Sequence, residues 1–144
     1  MEGNDTVEEL NLTYNTIQDL GACALAKALS ENGTVTTVIL AWNKLTDQCA
    51  EALAALLQQN KTIVELNLRK NQLTDKGAKI LAEALTGNHV LESLDLQDNK
   101  IGDEGALALI DVMKSHKTLN KINLDENKKI SAKVFKTYAA AIGR

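Results

Sequence analysis

The sequence contains no proline, and aromatic residues make up only 3% of it. A core must therefore be built from leucine, isoleucine, valine and alanine, which supply most of the 44% apolar content. Two cysteines, Cys23 and Cys49, are too few for the disulfide framework of a small secreted domain. We expect both thiols to be unpaired and buried.

The chain also lacks an excess of charge of either sign. Lys and Arg number 16 against 19 Asp and Glu, which leaves a net charge of −3. Such a balance produces no field that attracts nucleic acid or an anionic membrane, so we expect neither as a partner. No apolar run approaches the roughly 20 residues that span a bilayer, and the acidic start MEGNDTVEEL does not resemble a signal peptide. These features predict a cytoplasmic location.

Signs of catalytic chemistry are missing as well. His89 and His116 have no cysteine or paired carboxylate at metal-ligand spacing, and the glycines form no phosphate-binding loop. No serine or cysteine has an evident base and orienting group. We therefore expect a non-enzymatic protein without a metal or cofactor.

Asparagine recurs at a fixed interval of 28 residues, at positions 15, 43, 71, 99 and 127. The segments around these asparagines share four apolar positions and read VEELNLTYNTI, VTTVILAWNKL, IVELNLRKNQL, LESLDLQDNKI and LNKINLDENKKI. A repeat of this period predicts a solenoid in which each unit buries its apolar face against its neighbours. We place five units at about 7–34, 35–62, 63–90, 91–118 and 119–142, within a single domain spanning 1–144.

Each unit is predicted to form one strand, one turn and one helix. In 63–68, Leu66 and Leu68 alternate with polar residues, as in a half-buried strand. Asn71 is expected to satisfy backbone groups of the buried turn that follows. An aspartate precedes each of the first four helices, where it is expected to cap that helix; these are Asp19, Asp47, Asp75 and Asp103.

The two ends of the array differ. Phe135 and Tyr138 stand where the other units have alanine and leucine, so we interpret 131–142 as a C-terminal cap. No comparable cover precedes Val7, Leu10 and Leu12 of the first unit, which leaves an open strand edge. The edge could serve self-association, be covered by another molecule, or be shielded by the polar N-terminal arm.

The pattern LxxLxLxxNxL, joined to a long alanine-rich helical half, resembles the ribonuclease-inhibitor-like class of leucine-rich repeats over residues 7–142. The resemblance implies an α/β horseshoe fragment, with a parallel β-sheet on the concave face and α-helices on the convex face. It also implies binding of proteins by the concave face. Members include ribonuclease inhibitor, the sensing arms of nucleotide-binding immune receptors, tropomodulin-like actin regulators and the Ran GTPase-activating protein. They share a fold and differ in partners, so the resemblance names no partner for this chain.

A partner-binding surface is expected where the units differ from one another. The second unit carries Ile39 and the only tryptophan, Trp42, on a face that is polar elsewhere. Tyr14 precedes this tryptophan in the array and cations follow it, a composition typical of interface hot spots. The candidate residues are Tyr14, Ile39, Trp42, Arg69, Lys70, Asp95 and Asp98, of which the two aspartates form an acidic end.

Three functions remain open at this point. The leading hypothesis is a protein-interaction module or scaffold that binds a protein or peptide through the concave face and ascending loops. The alternatives are a regulatory fragment acting on a small GTPase or actin, and a structural segment of a larger repeat protein or assembly. Stacking of Tyr14 and Trp42 on each other and on a neighbouring cation would also explain the aromatic pair without any partner.

Overall fold

The computed structural model describes residues 3–143, in which five strands alternate with five α-helices. The strands are β1 (Glu9–Asn11), β2 (Thr37–Ile39), β3 (Glu65–Asn67), β4 (Ser93–Asp95) and β5 (Lys121–Asn123). The helices are α1 (Gln18–Leu29), α2 (Ala50–Gln59), α3 (Asp75–Thr86), α4 (Asp103–Ser115) and α5 (Ala132–Ala141). A 3₁₀ turn at Asp47–Cys49 precedes α2.

The strands form one parallel sheet in chain order, and each pairs in the same register with the next. Glu9 lies opposite Thr37 and Thr37 lies opposite Glu65, so every repeat position stacks on its own equivalent. Helices are about 10 Å wide whereas strands repeat about every 4.8 Å, so the array curves toward the sheet. This is the predicted α/β leucine-rich repeat solenoid, with the sheet on its concave side.

The core lies between the sheet and the helices. Leu66 and Leu68 on the strand side and Leu81 and Leu85 of α3 are fully buried, which confirms the predicted alternation of the strand. Ala78 is also fully buried, at the small position that lets the helix approach the sheet. The apolar periodicity therefore placed the core correctly.

The repeated asparagines form the predicted ladder in the turns. Asn71 is only 7% exposed, and its Oδ1 accepts hydrogen bonds from the backbone N–H groups of Asn43 and Leu45 at 3.1 and 3.0 Å. Its Nδ2 donates to the carbonyls of Leu40 and Leu68, both at 3.0 Å. One side chain thus satisfies backbone groups of two adjacent units.

A second ladder lies at the helix C-termini. Asn32, Asn60 and Asn88 are buried there, and Asn60 donates through Nδ2 to Leu29 O at 2.8 Å in the preceding unit. His116 takes the same place in the fourth unit, where its Nδ1 accepts the backbone N–H of Leu119 at 2.9 Å. The buried Nε2 of His116 has no hydrogen-bond partner among the described residues.

The prediction that each aspartate caps its own helix is wrong. Asp75 opens α3, yet its Oδ1 accepts the N–H groups of Gly102 and Gly105 at the start of α4, both at 2.8 Å. A Cβ on Gly105 would lie 2.7 Å from this oxygen, so the contact requires glycine. In the second unit Cys49 occupies the corresponding position, and a 3₁₀ turn stands where α3 and α4 begin directly.

Both cysteines are unpaired, as expected. Cys49 is fully buried, and burial together with the nearby Asp19 carboxylate raises the pKa of its thiol far above the usual range. The thiol therefore stays protonated and unreactive. Cys23 differs from the expectation because it is only partly buried, in a shallow groove between α1 and α2.

The C-terminal edge of the sheet is closed by Tyr138, which is almost fully buried. Its hydroxyl accepts the backbone N–H of Leu124 at 3.1 Å and lies 3.2 Å from the carbonyl of Ile122, to which it donates. The equivalent N–H of Leu96 donates to a following strand, so the phenol substitutes for that strand. At the other end, Leu10 is only partly buried whereas its counterpart Leu66 is fully buried.

Candidate functional site

One row of exposed and partly buried side chains runs along the ends of the strands and is named here the turn row. It consists of the residues that precede the ladder asparagines: Tyr14, Trp42, Lys70, Asp98 and Glu126. All have positive φ, between 54° and 64°. Glycine adopts this conformation with the least strain and aspartate tolerates it, so the turn itself favours none of the other four side chains. Their identities are therefore available to serve something other than the fold.

Backbone hydrogen bonds fix the turn row across units. The N–H of Tyr14 donates to Ala41 O at 2.9 Å, and that of Trp42 donates to Arg69 O at 3.0 Å. The row is consequently a rigid platform, with one side chain per unit at the strand spacing of about 4.8 Å.

Four of the seven predicted site residues meet in this row. The ring centroids of Tyr14 and Trp42 are 5.5 Å apart at an interplanar angle of 55°. The Nζ of Lys70 lies 5.0 Å from the centroid of the Trp42 ring, and the same ammonium forms an ion pair with Asp98. Four successive units thus contribute two aromatic side chains, a cation and an anion, and each of these side chains contacts the next.

Both aromatic side chains remain in contact with water. Tyr14 is 74% exposed and Trp42 is 47% exposed, although each contacts the other. Mutual stacking therefore covers only part of the apolar surface. Exposed aromatic residues beside a cation are typical of the anchors that dominate binding energy at protein interfaces.

Of the other three predicted site residues, Ile39 and Asp95 are the last residues of β2 and β4, and Arg69 directly precedes Lys70 of the turn row. Arg69 is exposed and Ile39 is partly buried. Asp95 is also partly buried, and its carboxylate accepts the N–H of Gln97 at 2.9 Å within its own turn. Ala41, which the alternation places on the outward face, is instead buried beneath its neighbours.

A cavity of about 290 Å³ opens between the aromatic pair and the ascending loops. It is lined by Tyr14, Thr16, Trp42, Lys44, Lys70 and Gln72. Sequence reasoning missed Thr16, Lys44 and Gln72. Their common spacing of 28 residues, two positions beyond the turn row, is the signal that could have identified them.

Neither a metal centre nor a membrane-spanning helix is evident in the described part of the chain. Residues 3–143 contain no group of three or more His, Cys, Asp or Glu side chains placed to hold a metal ion. In the same residues, each helix falls short of the length and apolar character needed to cross a membrane.

Comparison with known proteins gave one family and similar solved structures. The family model described as "Leucine Rich repeat" matches residues 3–26, 31–54, 59–82 and 87–109, more than half of the chain. A structure of the actin-binding site 2 of leiomodin-1 is similar, with a TM-score of 0.86 and 27% sequence identity. That match covers 99% of this chain and 83% of the leiomodin chain.

The C-terminal domain of tropomodulin from Caenorhabditis elegans has a similar structure, with a TM-score of 0.82 and 15% identity. The match covers 99% of this chain and 86% of the tropomodulin chain. At this identity the likeness concerns the fold alone. Comparison with curated protein sequences gave no match.

Proposed function

Because the chain belongs to the leucine-rich repeat family, we propose that it is a non-enzymatic module that binds a protein or peptide across its concave sheet and ascending loops. The constant 28-residue unit and the alanine-rich helices support membership of the ribonuclease-inhibitor-like class. The unpaired thiols suit a reducing compartment, which supports a cytoplasmic location.

The observation that carries this proposal is the exposed aromatic pair held by Lys70. An aromatic side chain buries about 150–250 Å² when covered. At about 25 cal/mol per Å², covering the exposed parts of Tyr14 and Trp42 would release roughly 5 kcal/mol of gross binding free energy. The rings are already oriented by the backbone of the turn row, so little ordering opposes their use.

Capture of partners by the intact chain and by Trp42→Ala tests the proposal. Leu107→Ala is a matched control, because Leu107 is also a large exposed apolar residue but lies on α4, away from the sheet. A genuine partner should be lost with Trp42→Ala and retained with Leu107→Ala. Equal capture by all three proteins would place binding elsewhere.

Actin is the specific partner class that one comparison favours. The leiomodin-1 structure that this chain resembles is an actin-binding site, and the similarity extends over 99% of the present chain at 27% identity. Binding of labelled actin monomers, followed by fluorescence anisotropy with increasing amounts of the chain, tests this candidate. No change in anisotropy at concentrations of about 100 μM would reject actin and leave the general binding module standing.

The first unit supports a second contact, self-association or cover by another molecule through β1. Leu10, Leu12 and Leu25 are only partly buried there, whereas their counterparts in the third unit are buried. Light scattering over a concentration series, with Leu10→Lys as the variant, tests this contact. A chain that stays monomeric at high concentration and behaves like the variant would show that β1 recruits no second copy.

A further inference from the structure

The charged side chains that line the cavity beside Trp42 are all basic. The charged side chains that line it are Lys44 and Lys70, and no carboxylate is among the lining residues. Lys70 is already engaged by Asp98 and by the Trp42 ring. Lys44 is exposed and has no ion-pair partner among residues 3–143, so its ammonium is the unengaged charge of this cavity.

The polar groups around the cavity add hydrogen-bond donors. Lys100 donates through Nζ to the Oε1 of Gln72 at 3.3 Å, which leaves the amide N–H₂ of Gln72 as its unengaged part. Thr16 contributes a hydroxyl that can donate as well. A lysine ammonium, an amide N–H₂ and a hydroxyl around one cavity form a suitable environment for an anionic oxygen.

The backbone around the cavity is strained and firmly held. Thr16 and Lys44 have positive φ, at 53° and 57°, in addition to the turn-row residues of the same units. A β-branched residue such as Thr16 rarely adopts this conformation. The N–H groups of Asn15 and Ile17 both donate to Asn43 Oδ1 at 3.1 Å, which fixes the loop that carries Thr16. Strain held by its surroundings in this way is a recurrent property of binding sites.

We propose that this cavity binds a carboxylate side chain of the partner protein, with an apolar neighbour of that carboxylate packed on the rings of Tyr14 and Trp42. The inference rests on the proposed function and specifies the chemistry that the partner presents. Lys44 forms the principal ion pair, Gln72 and Thr16 donate hydrogen bonds, and the aromatic pair covers the apolar neighbour.

Trp42 provides a direct readout because it is the only tryptophan of the chain. The probes are three pools of blocked hexapeptides with Leu-Glu, Leu-Gln or Leu-Lys at the centre and mixed residues elsewhere, titrated against Trp42 fluorescence. The Leu-Glu pool should give a saturable change with an apparent affinity at least about fivefold higher than that of the Leu-Gln pool. The preference should diminish between about 50 and 500 mM salt, because the ion pair is partly exposed.

Substitutions at Lys44 make the test specific. Lys44→Gln should remove the preference for glutamate, and Lys44→Glu should reverse it in favour of the Leu-Lys pool. Lys114→Gln, at an exposed position on α4, makes the same charge change away from the cavity and should leave the titration unaltered. Far-UV circular dichroism of each variant checks folding.

Two results would overturn the inference: equal or absent responses to the three pools, or an unchanged preference in both Lys44 variants. Loss of partner capture in Trp42→Ala together with a charge-independent peptide response would reject the carboxylate pocket alone. Retained capture in Trp42→Ala would instead reject the proposed binding surface itself.

Discussion

Asn71 is the residue whose replacement tests the turn ladder most directly. In Asn71→Ala, the N–H groups of Asn43 and Leu45 lose their acceptor, and the carbonyl of Leu40 loses its donor. The carbonyl of Leu68 keeps a partner, because Nδ2 of Asn99 also donates to it at 3.0 Å. Three buried backbone groups are therefore left unsatisfied.

The expected loss of stability follows from these three groups. An unsatisfied buried group costs about 1–3 kcal/mol, and a water molecule that enters the vacated polar space reduces each cost toward the lower figure. The free energy of unfolding should then fall by about 3 kcal/mol. For a chain of 144 residues this corresponds to a drop of roughly 10 °C in the thermal midpoint, at about 3 °C per kcal/mol.

Thermal melting followed by circular dichroism measures the change, and Asn15→Ala provides the control. Asn15 has the same place in the first unit but is exposed, and within residues 3–143 its side chain donates only to Thr13 O, at 3.1 Å. We expect the control to shift the midpoint by less than about 2 °C. Equal shifts in the two variants, or no shift in Asn71→Ala, would refute the reasoning that buried turn groups depend on the ladder.

Three further substitutions test other contacts between units. Gly77→Ala would place a Cβ 2.4 Å from Asp47 Oδ1, so urea denaturation should show a loss of about 1–3 kcal/mol; Gly87→Ala, where the nearest atom is 3.9 Å from the added Cβ, should be nearly neutral. His116→Asn should raise stability in the same assay by about 1 kcal/mol, because it removes an unpaired Nε2 and restores the amide of the helix-end ladder. Tyr138→Phe removes the hydroxyl that closes the β5 edge, so amide exchange at Leu124 should accelerate and stability should fall by about 1–2 kcal/mol. A loss of stability in His116→Asn, or unchanged exchange in Tyr138→Phe, would contradict these readings.

The sequence predicted the array well because a repeat makes the register explicit. The five asparagines fixed the turns, and the positions of Leu66 and Leu68 followed from a simple alternation. The direction of the aspartate contacts could not be predicted in the same way. Asp47 and Asp75 are 28 residues apart whether each caps its own helix or the next, so the period carries no information about the choice.

The sequence alone predicted only part of the candidate site. Trp42 was identified because it departs from a polar face, and such departures are visible in the sequence. Lys44 and Thr16 were missed because their role depends on positive φ angles in the ascending loops. Hydrophobic periodicity reports which side chains are buried, and it does not report where a loop turns a polar side chain toward a cavity.

The aspartate contacts make the units unequal in how firmly they hold one another. Asp75 accepts the N–H groups of Gly102 and Gly105 at the start of α4, whereas Asp19 accepts the N–H and the hydroxyl of Thr46 and lies beside the thiol of Cys49, which replaces the glycine. Because Leu10, Leu12 and Leu25 of the first unit are only partly buried, its junction with the second unit should open more readily than the junction between the second and third units, and amide exchange should be faster in 7–34 than in 63–90. Tyr14 and Trp42 lie on either side of this junction. A partner that bridges the two rings would hold the first unit against local unfolding, so its affinity would include the free energy of keeping that unit in place.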